Sequence, residues 1–254
     1  MREKPTVLVS VPPQAYFVKR LAGEFVEVEI MVPPGASPAT FEPTLKQMQA
    51  VARAKLYVTV GHPNFPFEKT WLKKLVSNNP ELTLVSCNPD HLESGDPHIW
   101  VSPEIGLKMA ERIHRALVKL MPNKKAEIDQ NRDRLFSEIK ALDLELDRTL
   151  ETRKGSKFLV FHPAWGHFAA HYGLEQIPIE QGMKEPSPST LSKLIEQAKS
   201  EGIKLVFVQP QFSKEQAELV AREIGGKVVE ANPLAEDWAE NLRSMARQLR
   251  EQAP

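Results

Sequence analysis

A single cysteine, Cys87, stands among 254 residues. That excludes an intrachain disulfide and any cysteine-based zinc centre, and one thiol does not fix the redox compartment. Net charge is lacking too: 33 Lys+Arg balance 33 Asp+Glu. The chain therefore carries neither the basic footprint of a general nucleic-acid binder nor an acidic tail. No apolar run approaches the ~18 residues of a membrane span. There is no Gly-x-Gly-x-x-Gly or Walker A motif, no Gly-x-Ser-x-Gly nucleophile elbow, no short solenoid repeat and no low-complexity stretch. No signal peptide is visible ahead of the apolar run Thr6–Ser10, so the sequence reads as cytoplasmic or as the mature form of an exported protein.

What the chain does have is length enough for one to two domains, an ordinary 41% of apolar residues and 21 prolines, many at strand ends. Thr6–Val11 reads as a strand stopped by Pro12 and Pro13, followed by a helix over Gln14–Ala22. Phe25–Val32 alternates as a half-buried strand, and a Pro/Gly loop follows over Pro33–Pro43. Thr44 and Gln47 have the spacing of a capping box opening a helix to about Ala54. Lys55–Val60 and Leu82–Ser86 are strands, and Glu68–Val76 and Glu104–Leu120 are helices. After Gly155 the alternation restarts: strands at Lys157–Phe161, Gln176–Glu180, Ile203–Val208 and Lys227–Ala231 are interleaved with helices. Ser187-Pro188 reads as an N-cap with Pro at N1, and Ser213 with Gln216 reads as a second capping box.

Between these halves lies one long helix. Residues 123–153 contain no Gly or Pro, and apolar residues at 128, 135, 139, 142, 146 and 150 fall three, four or seven apart, on one helical face. About 30 residues at ~1.5 Å each make a rod of ~45 Å. The expected fold is α/β: two lobes with mostly parallel sheets, joined by one long rigid helix, with a cleft between the lobes. The expected boundaries are 1–121 for the N-terminal lobe, 122–154 for the linking helix and 155–254 for the C-terminal lobe. Ligands of such sheets bind beyond the carboxyl ends of the strands.

Three of the seven histidines fall at such ends: His62 after Lys55–Val60, His98 after Leu82–Ser86 and its loop, and His162 directly after Lys157–Phe161. Neutral imidazole is the commonest metal-binding side chain, and three His nitrogens suit Zn²⁺. His91 lies in a loop, and His114, His167 and His171 lie on helices, where a structural role suffices. Cys87, at a strand end, is read as a small buried residue.

Four segments together resemble a known family. They are Pro33-Pro-Gly-Ala-Ser-Pro-Ala-Thr-Phe-Glu-Pro43, Asp96-Pro-His-Ile-Trp-Val-Ser-Pro-Glu104, Phe158-Leu-Val-Phe-His-Pro-Ala-Trp-Gly-His-Phe168 and Val206-Phe-Val-Gln-Pro-Gln-Phe212. In order and over nearly the whole chain, they look like the zinc/manganese substrate-binding proteins of bacterial ABC importers (the ZnuA-like, cluster A-I family). Ala231-Asn-Pro-Leu234 is similar to that family's Asp-Pro-Leu-Gly segment. The resemblance implies two α/β lobes on a rigid helix, no catalysis, and delivery of Zn²⁺, or less readily Mn²⁺, to a permease of the inner membrane. It implies a periplasmic or extracytoplasmic place, free or lipid-anchored, and a monomer. The family's second His falls on His98 and its third ligand on His162; a His in that third place leans to zinc. Its first His falls on Ala39, its acidic ligand on Asn232 and its Glu-Pro-Gln acid on Gln209.

The expected metal ligands are therefore His62, His98 and His162, with His62 standing in for the imidazole absent at Ala39. Asn232 or Gln209 would be a fourth ligand or an outer partner. Two other functions stay open from the sequence. One is the same fold with a degenerate site holding a metal chelate or small organic ligand; the other is a zinc-dependent hydrolase.

Overall fold

The computed structural model describes residues 4–89, 95–180 and 186–251; His91 lies outside them. The strands are β1 (Thr6–Val9), β2 (Glu27–Ile30), β3 (Leu56–Thr59), β4 (Thr83–Ser86), β5 (Lys157–Val160), β6 (Glu175–Pro178), β7 (Leu205–Val208) and β8 (Lys227–Glu230). The helices are α1 (Pro12–Ala22), α2 (Leu45–Arg53), α3 (Pro66–Ser77), α4 (Pro103–Leu120), α5 (Lys125–Leu150), α6 (Gly166–His171), α7 (Pro188–Ser200), α8 (Lys214–Glu223) and α9 (Trp238–Glu251). Two four-stranded sheets form, in the orders β2-β1-β3-β4 and β6-β5-β7-β8, and every pairing is parallel. Central strands β3 and β7 are buried at all four positions, whereas edge strand β8 reads exposed at both ends. Helices that cover both faces of a sheet produce this contrast.

The chain divides into two compact units. One comprises Met1–Asp143 with Leu234–Trp238, and the other Leu144–Pro233 with Ala239–Pro254. The long helix is continuous over α5, flanked by 3₁₀ turns at Pro122–Lys124 and Glu151–Arg153. Ile128, Leu135, Ile139, Leu142, Leu146 and Leu150 are all buried, and Leu144, off that stripe, is exposed.

Local chemistry explains most boundaries. Thr44 caps α2 by accepting from Gln47 N–H at 3.3 Å, and Gln47 Oε1 accepts from Thr44 N–H at 2.9 Å, so the box forms as spaced. Ser187 caps α7, with Pro188 at its first position. Ser213 caps α8 through Glu215 N–H at 3.3 Å, but Gln216 Oε1 is buried with no partner, so the reciprocal half of the second box does not form. Pro12 and Pro13 do more than stop β1. They occupy the first turn of α1, where missing N–H groups cost nothing, and the helix starts two residues earlier than its apolar pattern suggests.

Candidate metal centre

In the first unit, the turn after β3 is built around Gly61. Its φ is +73°, and a Cβ there would fall 1.9 Å from Ser86 Oγ, so both the left-handed backbone and the close approach require glycine. Glu68, near the start of α3, holds this turn from below. Its carboxylate accepts from Val60 N–H at 2.6 Å and Gly61 N–H at 2.8 Å, and from the Ser10 hydroxyl, which also meets Tyr57 Oη at 3.0 Å. Burial pushes the Glu68 carboxyl above its ordinary range, opposed by these hydrogen bonds.

His62 follows directly and is 3% exposed. Its Nδ1 accepts from Asn64 N–H at 3.1 Å, which places the proton of a neutral ring on Nε2. Metal ligation by His62 therefore displaces that hydrogen bond. A net loss of ~0.5–1.5 kcal/mol is small beside the ~10–16 kcal/mol typical of a full zinc ligand set, so the bond does not bar ligation. Asn64 Nδ2 also donates to Gly95 O at 3.3 Å, which brings the His62 turn against the segment leading to His98.

His98 is held by its neighbour two residues before. Asp96 Oδ1 accepts from His98 N–H at 2.9 Å and pairs with His98 Nδ1 at 2.7 Å. The His98 ring meets Trp100 edge-on at 5.4 Å. With Nδ1–H directed at the carboxylate, the lone pair lies on Nε2, the usual arrangement of a metal-binding imidazole and its carboxylate. Ala39 sits in the Pro33–Pro43 loop, where its N–H donates to Ser37 Oγ at 3.3 Å.

In the second unit, His162 stands two residues beyond β5. The parallel register pairs Val160 with Pro178, and two residues further on each strand are His162 and Glu180. Both carboxylate oxygens of Glu180 lie 3.2 Å from His162 Nδ1. Phe212 stacks on the ring at 5.1 Å and 20°. Gln209, 2% exposed at the end of β7, donates from Nε2 to the His162 carbonyl at 2.9 Å, which makes it a brace of the His162 turn; its Oε1 is buried with no hydrogen-bond partner. Asn232 accepts at its backbone carbonyl from Asn241 Nδ2 at 2.8 Å.

Among the described residues no group of three or more His, Cys, Asp or Glu side chains is gathered to hold a metal ion. The predicted imidazoles belong to two units, His62 and His98 to the first and His162 to the second. Within each unit the chemistry suits zinc: an imidazole at the carboxyl end of a sheet, with a carboxylate on its Nδ1. Sequence reasoning missed these carboxylates. Asp96 was within reach, since an Asp two residues before a His readily closes an Asx turn. Glu180, eighteen positions from His162, becomes visible only through the β5–β6 register. His114, read as structural, pairs through Nε2 with Asp129 at 2.7 Å.

Comparison with known proteins agrees with this architecture. The family model described as "Zinc-uptake complex component A periplasmic" matches residues 7–252. The chain is 26% identical over 257 residues to the high-affinity zinc uptake system protein ZnuA of Bacillus subtilis strain 168, covering 91% of this chain and 79% of that protein. It is 27% identical over 256 residues to the zinc-binding lipoprotein AdcA of Streptococcus pneumoniae serotype 4, covering 91% of this chain but spanning half of that protein. A crystal structure of ZnuA superposes with a TM-score of 0.93 at 36% identity, covering 98% of this chain and 99% of the other. Two parallel α/β sheets, the long helix and carboxylate-backed histidines beyond the strands thus accompany a family match over nearly the whole length, and the chain belongs to the ZnuA family of zinc-uptake components.

Proposed function

We propose that this protein captures Zn²⁺ outside the cytoplasm and delivers it to an ABC permease, as a binding protein and not an enzyme. The observation that carries the reading is the pair His98–Asp96 and His162–Glu180. Each imidazole has a carboxylate on Nδ1, which leaves Nε2 as the metal-binding nitrogen, in a chain of the ZnuA family. His62 is the third imidazole of the proposed set, and Asn232 or a water completes the coordination. A His in the third place favours zinc over manganese, since imidazole suits zinc while carboxylate and carbonyl oxygens suit manganese.

The protein works as a monomer, and without nucleic acid, the latter in keeping with its zero formal charge. The proposed linking helix is 122–154, following an N-terminal lobe at 1–121 and preceding a C-terminal lobe at 155–254 from which Leu234–Trp238 join the first unit. Its place is the periplasm or the outer face of the membrane, free or lipid-anchored.

Metal analysis of the purified protein, followed by zinc calorimetry from pH 7.5 to pH 5, tests the reading. Imidazole must be deprotonated to bind metal, so affinity should fall as pH drops. Affinity that stays flat to pH 5, or a protein carrying no zinc and taking none up, rejects it.

A further inference from the structure

We propose that Glu180 is the positioning carboxylate of the zinc site: it fixes the His162 ring with Nε2 ready for metal and supplies the negative charge that Asn232 does not. This rests on the zinc-binding reading above. Glu180 is 5% exposed, and a carboxylate so deep is costly unless donors or a positive charge face it. Among the described residues, His162 Nδ1 faces it, 3.2 Å from both of its oxygens. A neutral imidazole offers one N–H, which compensates the charge only in part. A dication on the opposite nitrogen would complete the compensation across the ring.

The placement is built into the sheet. Glu180 N–H donates to Phe161 O at 3.0 Å, continuing the β5–β6 ladder past its last pair, so the carboxylate is anchored one bond from the His162 turn. Phe212 stacks on the ring and Gln209 holds the His162 carbonyl. The imidazole is thus fixed from its face, its backbone and its Nδ1, which leaves Nε2 as the coordinating atom. Outer carboxylates of this kind raise ligand basicity, and their loss typically weakens metal binding ~10–100-fold. Asn232, at the position where the family resemblance puts an acid, carries no charge. Glu180 sits instead behind an imidazole, where it contributes charge without occupying a coordination position.

The test uses the whole protein, zinc sulfate titration and imidazole nitrogen NMR of the metal-free form. In the wild type, the His162 proton should be on Nδ1. Glu180→Ala should release it toward the Nε2–H tautomer and raise the zinc Kd ~10–100-fold. Glu180→Gln is near-isosteric and guards against loss of folding, checked by its thermal melt. Its amide oxygen still accepts from Nδ1–H, so the tautomer should persist while affinity drops, and adding Asn232→Asp should recover that drop.

A wild-type His162 protonated on Nε2, or a Glu180→Ala protein binding zinc within twofold of wild type, overturns the assignment. Glu180→Gln binding as tightly as wild type overturns the charge role. A wild type that takes up no zinc overturns the functional reading itself, which the NMR arm distinguishes from a misassigned Glu180.

Discussion

Glu68 and Gly61 are joined by a partly buried hydrogen bond of 2.8 Å from the Gly61 N–H to Glu68 Oε2, and this bond ties α3 to the turn that carries His62. A carboxylate whose pKa is raised on folding binds more protons in the folded state than in the unfolded one. Its contribution is therefore most favourable below the unfolded value near ~4.3 and is lost as pH rises toward the raised folded value. Urea midpoints of wild type and Glu68→Gln, measured from pH 4 upward, should converge or cross as pH rises, because only the wild type loses stability through this window. Parallel curves would show that Glu68 does not titrate differently in the fold.

Cys87 is fully buried, and its thiol is pushed up to about 12, chiefly by burial. Only the thiolate reacts readily with disulfide reagents. Native protein at pH 7–8 should label orders of magnitude more slowly than urea-unfolded protein. Labelling at the rate of a free thiol would contradict the burial and the Gln14 Nε2 to Cys87 Sγ contact at 3.5 Å.

The His62 proposal has its own comparison. Zinc affinities of His62→Ala, His98→Ala and His162→Ala should fall together, each by ~100-fold or more, since two protein nitrogens are too few for a tight zinc site. A His62→Ala protein that binds like wild type would confine His62 to shaping its turn with Asn64. A zinc-soaked crystal would then show Zn–N distances of ~2.0–2.1 Å to His98 and His162 alone.

Trp238 supplies a stability test. Its indole Nε1–H donates to the Trp100 carbonyl at 2.5 Å, and its ring packs on Phe17 with centroids 5.0 Å apart. Trp238→Phe removes the donor and should cost ~1–3 kcal/mol. Gly106→Ala would put a Cβ 2.9 Å from Trp238 Cζ2 and should cost ~1–3 kcal/mol by overpacking. Because both changes act on one slot, the double variant should lose less than the two single losses added. Strict additivity in denaturant titrations would sink that coupling.

The long helix was legible because its signal is periodic and local: six apolar positions without Gly or Pro between them became six buried ones. The alternation of strands and helices was legible for the same reason, and the parallel sheets followed from it. Two kinds of information were not local. Leu234–Trp238 belong to the first unit although the residues around them belong to the second, and no pattern in the segment reports which core an indole will enter. The Glu180–His162 pair needed the register of β5 on β6, which a sequence fixes only through the packing of whole strands. At Pro12 and Pro13 the signal was present but double-edged, since proline ends a strand and begins a helix with equal ease.

Both sheets repeat one strand order, and within each sheet the parallel strands run the same way. Evolution is thereby given a fixed frame with interchangeable endings. The residues just past β3, β5 and β7, here His62, His162 and Gln209, can be rewritten one at a time while the buried strands remain unaltered. A change of cargo in such a protein would then call for new side chains at these endings and not for a new fold.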